Sequence, residues 1–257
     1  MSRMLRADLE RLMKSPALRL SLAGMLALSL AFMGMQATAM DYVVPLSRVI
    51  FLPLSMYGAA MAACVSIFAG TDFSDGFIRN KLLSADSRRS LVLSQMAVSC
   101  LACLIVYAAV TAFTALAGRF FFENDVEAAV FFRLLVTGAG MSLVTGSLFS
   151  AAVLVCGTRT RAMAVNMGGA FGMLFLAMHT NGWLARAYKE NPAAPGQGRE
   201  ARFALYCLLH DLNPCGQAAQ LSVWEVRRPV RVLVLDLALV LGLAVLACAV
   251  FQRKDVD

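Results

Sequence analysis

LVLSQMAVSCLACLIVYAAVTAFTALA, Leu91 to Ala117, runs without a charged residue. A helix needs roughly 20 mostly apolar residues to cross the hydrocarbon of a bilayer. This run is longer, so it reads as a spanning helix that tilts or extends beyond the hydrocarbon. Five other stretches have the same character: 18–38, 50–70, 134–156, 162–180 and 230–251. The expected fold is therefore an all-α membrane protein with six transmembrane helices. The composition agrees: 60% of the 257 residues are hydrophobic, 15% are charged, and the mean hydropathy is +0.70. Soluble domains sit near about 45–50% apolar and 25% charged.

Ala37-Thr38-Ala39 resembles a signal-peptide cleavage site. The leader before the first run is long and acidic at Asp8 and Glu10, and the run exceeds a usual signal core, so a retained helix is expected.

Lys and Arg set the orientation. With the N-terminus inside, the inner segments hold Arg3, Arg6, Arg11, Lys14 and Arg19, then Arg79, Lys81, Arg88 and Arg89, then Arg159 and Arg161, then Arg253 and Lys254. The first two outer loops hold only Arg48 and Arg119, with Arg133 at a helix mouth, beside Glu123, Asp125 and Glu127. The long last outer loop, 181–229, is also basic, but long loops follow the rule weakly. Both termini are expected inside. The net charge of +7 follows from these clusters. It comes with no aromatic–basic interleaving or zinc-finger spacing, so a nucleic-acid partner is not expected.

Just before Leu91 lies the polar island TDFSDGFIRNKLLSADSRR, Thr71 to Arg89. Phe73, Phe77, Ile78 and Leu82 would share one face of a short helix, with Thr71 or Asp72 as N-cap. Arg79, Asn80 and Lys81 would point elsewhere. Ser84, Asp86 and Ser87 offer caps for the next span. The N-terminus repeats the design. Met1, Met4, Leu5, Leu9, Leu12 and Met13 recur at helical spacing, with Arg3, Arg6, Glu10, Arg11 and Lys14 on the other side. The residues alone leave two readings of each segment: an anchor or connection that satisfies charge rules, or a surface that meets a partner.

In the fourth span, Gly138, Ser142, Gly146 and Ser150 stand at four-residue steps. Small residues on one face let helices approach closely in lipid. Gly168 and Gly172 do so in the fifth span, where Asn166 could bond across helices. Packing within the chain is the simplest reading; a subunit interface or pathway lining is the alternative. Asp236 and Arg133 could pair near the outer interface. The span centres lack Asp, Glu and Lys, which argues against a proton- or sodium-coupled carrier.

Catalytic signatures are missing from the sequence. Cys100 and Cys103 form a CxxC inside an apolar run, where cysteine behaves as a small hydrophobe. No HExxH or GxxxxGK(S/T) occurs, so no metal site is expected, and any ATP chemistry would need another chain. In the outer loop, Asn191–Glu200 reads as turn-rich. Ala204–Trp224, broken at Asn213-Pro214, reads as a short helix dipping into the interface. Cys207 and Cys215 could pair if that side is oxidising. Trp183 and Trp224 suit interfacial anchoring.

The island resembles the first inner loop of permease subunits of the type-2 ATP-binding-cassette exporter class, through Asp72, Phe73, Gly76, Ile78, Arg79, Asn80, Lys81, Ser87 and Arg88. Leu212–Gly216 resembles that family's segment before the last span. The resemblance implies an amphipathic elbow at 1–17 and a six-helix permease domain at 18–257 containing a coupling loop at 71–90. It implies a bacterial cytoplasmic membrane, a cytoplasmic ATPase dimer as partner and a second permease chain, identical or different. ATP and Mg would be held by the ATPase, and this chain would hold no cofactor and would not be an enzyme itself. Phe73, Phe77 and Ile78 would dock into the ATPase, with Arg79 and Lys81 meeting its acidic residues or lipid headgroups. The family often has Glu where Asp72 or Asp75 stands. The cargo would be hydrophobic or amphipathic, such as a peptide or drug. The alternatives are a polytopic scaffold or receptor for an inner partner, or an intramembrane enzyme.

Overall fold

The computed structural model describes residues 2–39, 44–84, 87–190, 198 and 200–253, with the side chains of 2–4, 79, 80, 82 and 84 outside the description. The turn-rich reading of Asn191–Glu200 and the cap offered by Asp86 fall largely or wholly outside these residues. Among the described residues the chain is helical, with one isolated bridge between Pro45 and Glu123.

The helices are α1 (Ser2–Lys14), α2 (Pro16–Ala39), α3 (Ser47–Ile50), α4 (Tyr57–Ser74), α5 (Phe77–Ser84), α6 (Arg88–Gly118), α7 (Ala128–Cys156), α8 (Arg159–Glu190), α9 (Glu200–Leu212), α10 (Pro214–Ser222) and α11 (Pro229–Gln252). Six segments are long and apolar enough to cross a membrane: α2, the unit from α3 to α4, α6, α7, α8 and α11. The all-α membrane fold follows. The second span is not one helix. Pro53 cannot donate a backbone hydrogen bond, and a 3-10 turn over Leu52–Met56 joins α3 to α4.

At about 1.5 Å per residue, the 31 residues of α6 reach about 46 Å. This exceeds a hydrocarbon core of about 30 Å. Ser87 starts α6 as an N-cap, accepting from the Ser90 N–H at 3.1 Å. α8 also outruns the apolar stretch 162–180, and its helix continues through Glu190.

α4, α6 and α7 are the most buried spans, while α2, α8 and α11 show most of their surface. In lipid, close packing rather than hydrophobic exclusion holds helices together, and the central contact shows it. A Cβ on Gly146 would come 2.7 Å from the Cα of Cys100, and one on Gly138 would overlap the Tyr107 hydroxyl. Ser142 and Ser150 on the same face are fully buried. Asn166 ties α8 inward, donating to Ser66 Oγ at 2.8 Å and to the Phe149 carbonyl at 3.2 Å. Gly168 and Gly172 face open space.

The sequence reading differs from the structure at three places on the other side of the molecule. Ala204–Trp224 is two helices, and α10 sits inside the bundle against α7, α8 and the 3-10 turn. Asn213 caps α10, accepting from the Cys215 N–H at 3.0 Å and donating to the Met173 carbonyl at 2.7 Å. Gly216 permits the tight corner, because a Cβ there would overlap the His210 carbonyl. Asp236 does not meet Arg133, which is exposed; the buried carboxylate accepts from Gln217 Nε2 at 2.6 Å. Cys207 and Cys215 are both free thiols, and Cys215 is buried beside Gly58. The two tryptophans pack on protein rings: Trp183 stacks on Tyr206 at 4.6 Å, and Trp224 lies 5.6 Å from Phe51 and 6.1 Å from Phe131.

Candidate functional site

The basic segments Arg3–Arg19, Arg79–Arg89, Arg159–Arg161 and Arg253 gather at one end of the bundle. Ser74 Oγ accepts from the Arg159 N–H at 3.1 Å, and Arg88 Nη1 donates to the Gln252 carbonyl at 3.4 Å. The polar island sits there, but not as one helix. α4 carries on through Thr71, Asp72 and Phe73 to Ser74, so neither Thr71 nor Asp72 caps a new helix. The break comes at Gly76, whose φ of 73° lies in the left-handed region that costs other residues more. α5 then starts at Phe77.

This break separates the apolar residues expected on one face. Phe73, in the last turn of α4, meets Phe251 edge-on at 6.5 Å. Ile78 is buried with Leu91, Val92, Met96, Leu154 and Phe251. Phe77 stays 52% exposed and Leu83 87% exposed, so among the described side chains these two are the large apolar groups that α5 offers outward. The side chains of Arg79 and Asn80 lie outside the described residues. Arg88 opens α6 and is exposed.

Asp72 is only 1% exposed, and its carboxylate is held within the chain. Arg11 of α1 grips it through both terminal nitrogens, Nη1 on Oδ1 and Nη2 on Oδ2, the latter at 2.8 Å. Lys81 of α5 donates to Asp72 Oδ2 at 2.8 Å and to Asp8 Oδ1 of α1 at 2.6 Å. Two cations and two carboxylates thus fasten α1, α4 and α5 together. Bidentate Arg–carboxylate pairing is among the stronger polar contacts, and this one is partly shielded from water. Burial works against the charge on Arg11. The hydrogen bond and charge of Asp72, with Asp8 and Asp75 further off, outweigh it and raise the guanidinium pKa. The same guanidinium lies 4.7 Å over the Phe68 ring, close enough for a cation–π contact.

The cluster changes the reading of α1. Leu5, Asp8, Leu9, Arg11 and Leu12 form its inward stripe, so Arg11 faces the bundle rather than the polar side. α1 packs on α6. Asp8 and Arg11 were not among the sequence candidates for this site. Their only hint was an Asp interrupting an otherwise apolar helical stripe.

Among the described residues no group of His, Cys, Asp or Glu is placed to hold a metal ion. Cys100 and Cys103 are buried, with Cys100 Sγ 3.2 Å from Ser147 Oγ. The basic end carries a short helix, tied to α1 and α4 by charge, with an exposed face bearing Phe77 and Leu83. A scan against protein-family models returns no match, and a search of curated proteins returns none.

Proposed function

We propose that the chain is the permease subunit of an ATP-driven type-2 ATP-binding-cassette exporter. It works as one of two permease chains, powered by a separate ATPase dimer that binds ATP and Mg. The observation that carries this reading is the island itself: its Arg79-Asn80-Lys81 pattern, placed on a short helix at the basic end with Phe77 and Leu83 outward. In this reading α5 is the coupling helix and α1 the elbow. In this reading the basic end faces the cytoplasm of a bacterial cell, and the Lys and Arg distribution supports that side.

The charge cluster supplies a mechanical route. Force applied to α5 by a closing ATPase passes through Lys81 to Asp72 and Asp8, and through Arg11 into α1. Phe73 and Ile78 carry the same motion into α6, α7 and α11 by packing. Asp72 acts inside the subunit in this scheme, and the outward contact belongs to Phe77 and Leu83. The cargo is hydrophobic or amphipathic, a peptide or drug, because the spans carry few charges.

The double variant Phe77→Ala/Arg79→Glu tests the docking role. It should remain folded in the membrane and lose co-purification of the ATPase and transport. Retention of both would remove α5 as the coupling element.

A further inference from the structure

The end opposite the charge cluster contains a hollow. The last turns of α8, with α9, α10 and the link into α11, enclose a cavity of about 160 Å³. Leu184, Ala185, Tyr188 and Val223 form an apolar wall, and His210, Asp211 and Arg228 bring polar groups to it. An apolar cavity with a few convergent polar groups is the usual build of a small-molecule site.

The polar groups are not equivalent. Arg227 is occupied: its guanidinium lies 3.3 Å over the Tyr188 ring, and Nε donates to Glu225 at 3.3 Å. Asp211 accepts from Gln220 Nε2 at 3.1 Å and has Arg231 at 3.6 Å. Among the described residues no carboxylate pairs with Arg228. After these pairings Arg228, exposed at the cavity's edge, is the lining cation without a carboxylate among the described residues.

His210 adds direction. It is 5% exposed, and burial pushes its pKa below the ordinary value, against the charge of Asp211, so the neutral ring is favoured. Thr180 Oγ1 lies within hydrogen-bond reach of the Leu176 carbonyl at 2.9 Å, the Ala177 carbonyl at 3.1 Å and His210 Nδ1 at 3.1 Å. In the tautomer where the hydroxyl donates to a carbonyl and Nδ1 donates to Thr180, Nε2 is an acceptor, and no described residue donates to it.

We propose that this cavity binds a small soluble amphipathic carboxylate, with the carboxylate at Arg228, an adjacent N–H or O–H donating to His210, and an apolar body against Leu184, Tyr188 and Val223. A short acyl amino acid has all three features. The binding does not depend on whether the chain transports anything.

The test is a titration of the full-length protein in phosphatidylcholine nanodiscs with N-acetyl-L-leucine, and with N-acetyl-L-leucinamide as the neutral control. Saturable binding of the acid is expected, with the amide weaker by about tenfold or more, the scale of a charge-assisted contact. Arg228→Gln should erase the preference for the acid. Ala185→Phe should fill the cavity and weaken both ligands, with thermal unfolding of both variants unchanged. Equal affinity for acid and amide, no saturation, or an unaltered preference in Arg228→Gln overturns the proposal. Loss of acid binding when phosphatidylglycerol replaces phosphatidylcholine identifies a lipid headgroup as the occupant and overturns it too.

Discussion

The two ends of the bundle handle buried polar groups in opposite ways. At the basic end Asp72 is held by full charges, Arg11 and Lys81, reaching from separate helices, and Lys81 also meets Asp8 Oδ1. At the other end Asp236 is met by the amide of Gln217, Asn213 spans α8 and α10, and Thr180 meets a neutral His210. Charge clamps the first end shut across three helices. Hydrogen bonds to neutral groups, with Asp211 and Arg231 as an ion pair beside them, shape the second and leave room between α8, α9 and α10. In the proposed reading one end transmits force and the other holds a ligand.

The largest effect that separates the ends should come from Asp72→Ala. It takes from Arg11 the carboxylate that it grips and leaves Lys81 with Asp8. Because Arg11 keeps contact with water, the cost should lie at or below the lower end of the about 3–5 kcal/mol of a buried pair. The expected result is a lower unfolding temperature and faster proteolysis within α1. A matching Asn213→Ala at the other end removes a helix cap and a bond to Met173. Caps of this kind are worth about 1 kcal/mol, and up to about 2, so its shift in chemical or thermal unfolding should be visibly smaller.

Between the ends, Gly146→Ala and Gly168→Ala form a contrast. The first puts a methyl 2.7 Å from the Cys100 backbone and should destabilise by about 1–3 kcal/mol. The second meets nothing within 4 Å. It should be neutral or gain up to about 1 kcal/mol from helix propensity. Parallel melts of the two variants check the difference.

The smallest effect is a dependence on pH. The folded pKa of His210 lies below its ordinary 6.5. The unfolded chain then binds more protons as pH falls from 6.5, so stability contributed by the neutral ring is present above that pH and declines below it. Unfolding measured from pH 8 downward should show this decline, and His210→Gln should flatten it.

The six spans were legible because hydropathy is a one-dimensional property, and an uncharged run such as Leu91–Ala117 has few alternatives. Asn166 reaching across helices and Ser87 capping α6 were legible for the same local reason. Lys81 and Asp8 stand 73 positions apart, and Arg11 and Asp72 stand 61 apart, so no local pattern connects them. The island misled the sequence reading because Thr71–Ser74 carry cap-forming side chains. The apolar span simply continues through them until Gly76 can turn the backbone. The expected partner of Asp236 was a charge, yet α10 folds inward and brings Gln217 closer than Arg133. That inward fold depends on Gly216 and the Asn213 cap, whose consequences appear only in three dimensions.

The claim that α5 meets an ATPase can be tested by photo-crosslinking from the Leu83 position in native membranes. Leu241, 58% exposed on α11, serves as the control. The account predicts that position 83 captures a polypeptide carrying GxxxxGK(S/T) and that position 241 does not. No such polypeptide at position 83, or equal capture at both positions, would contradict it.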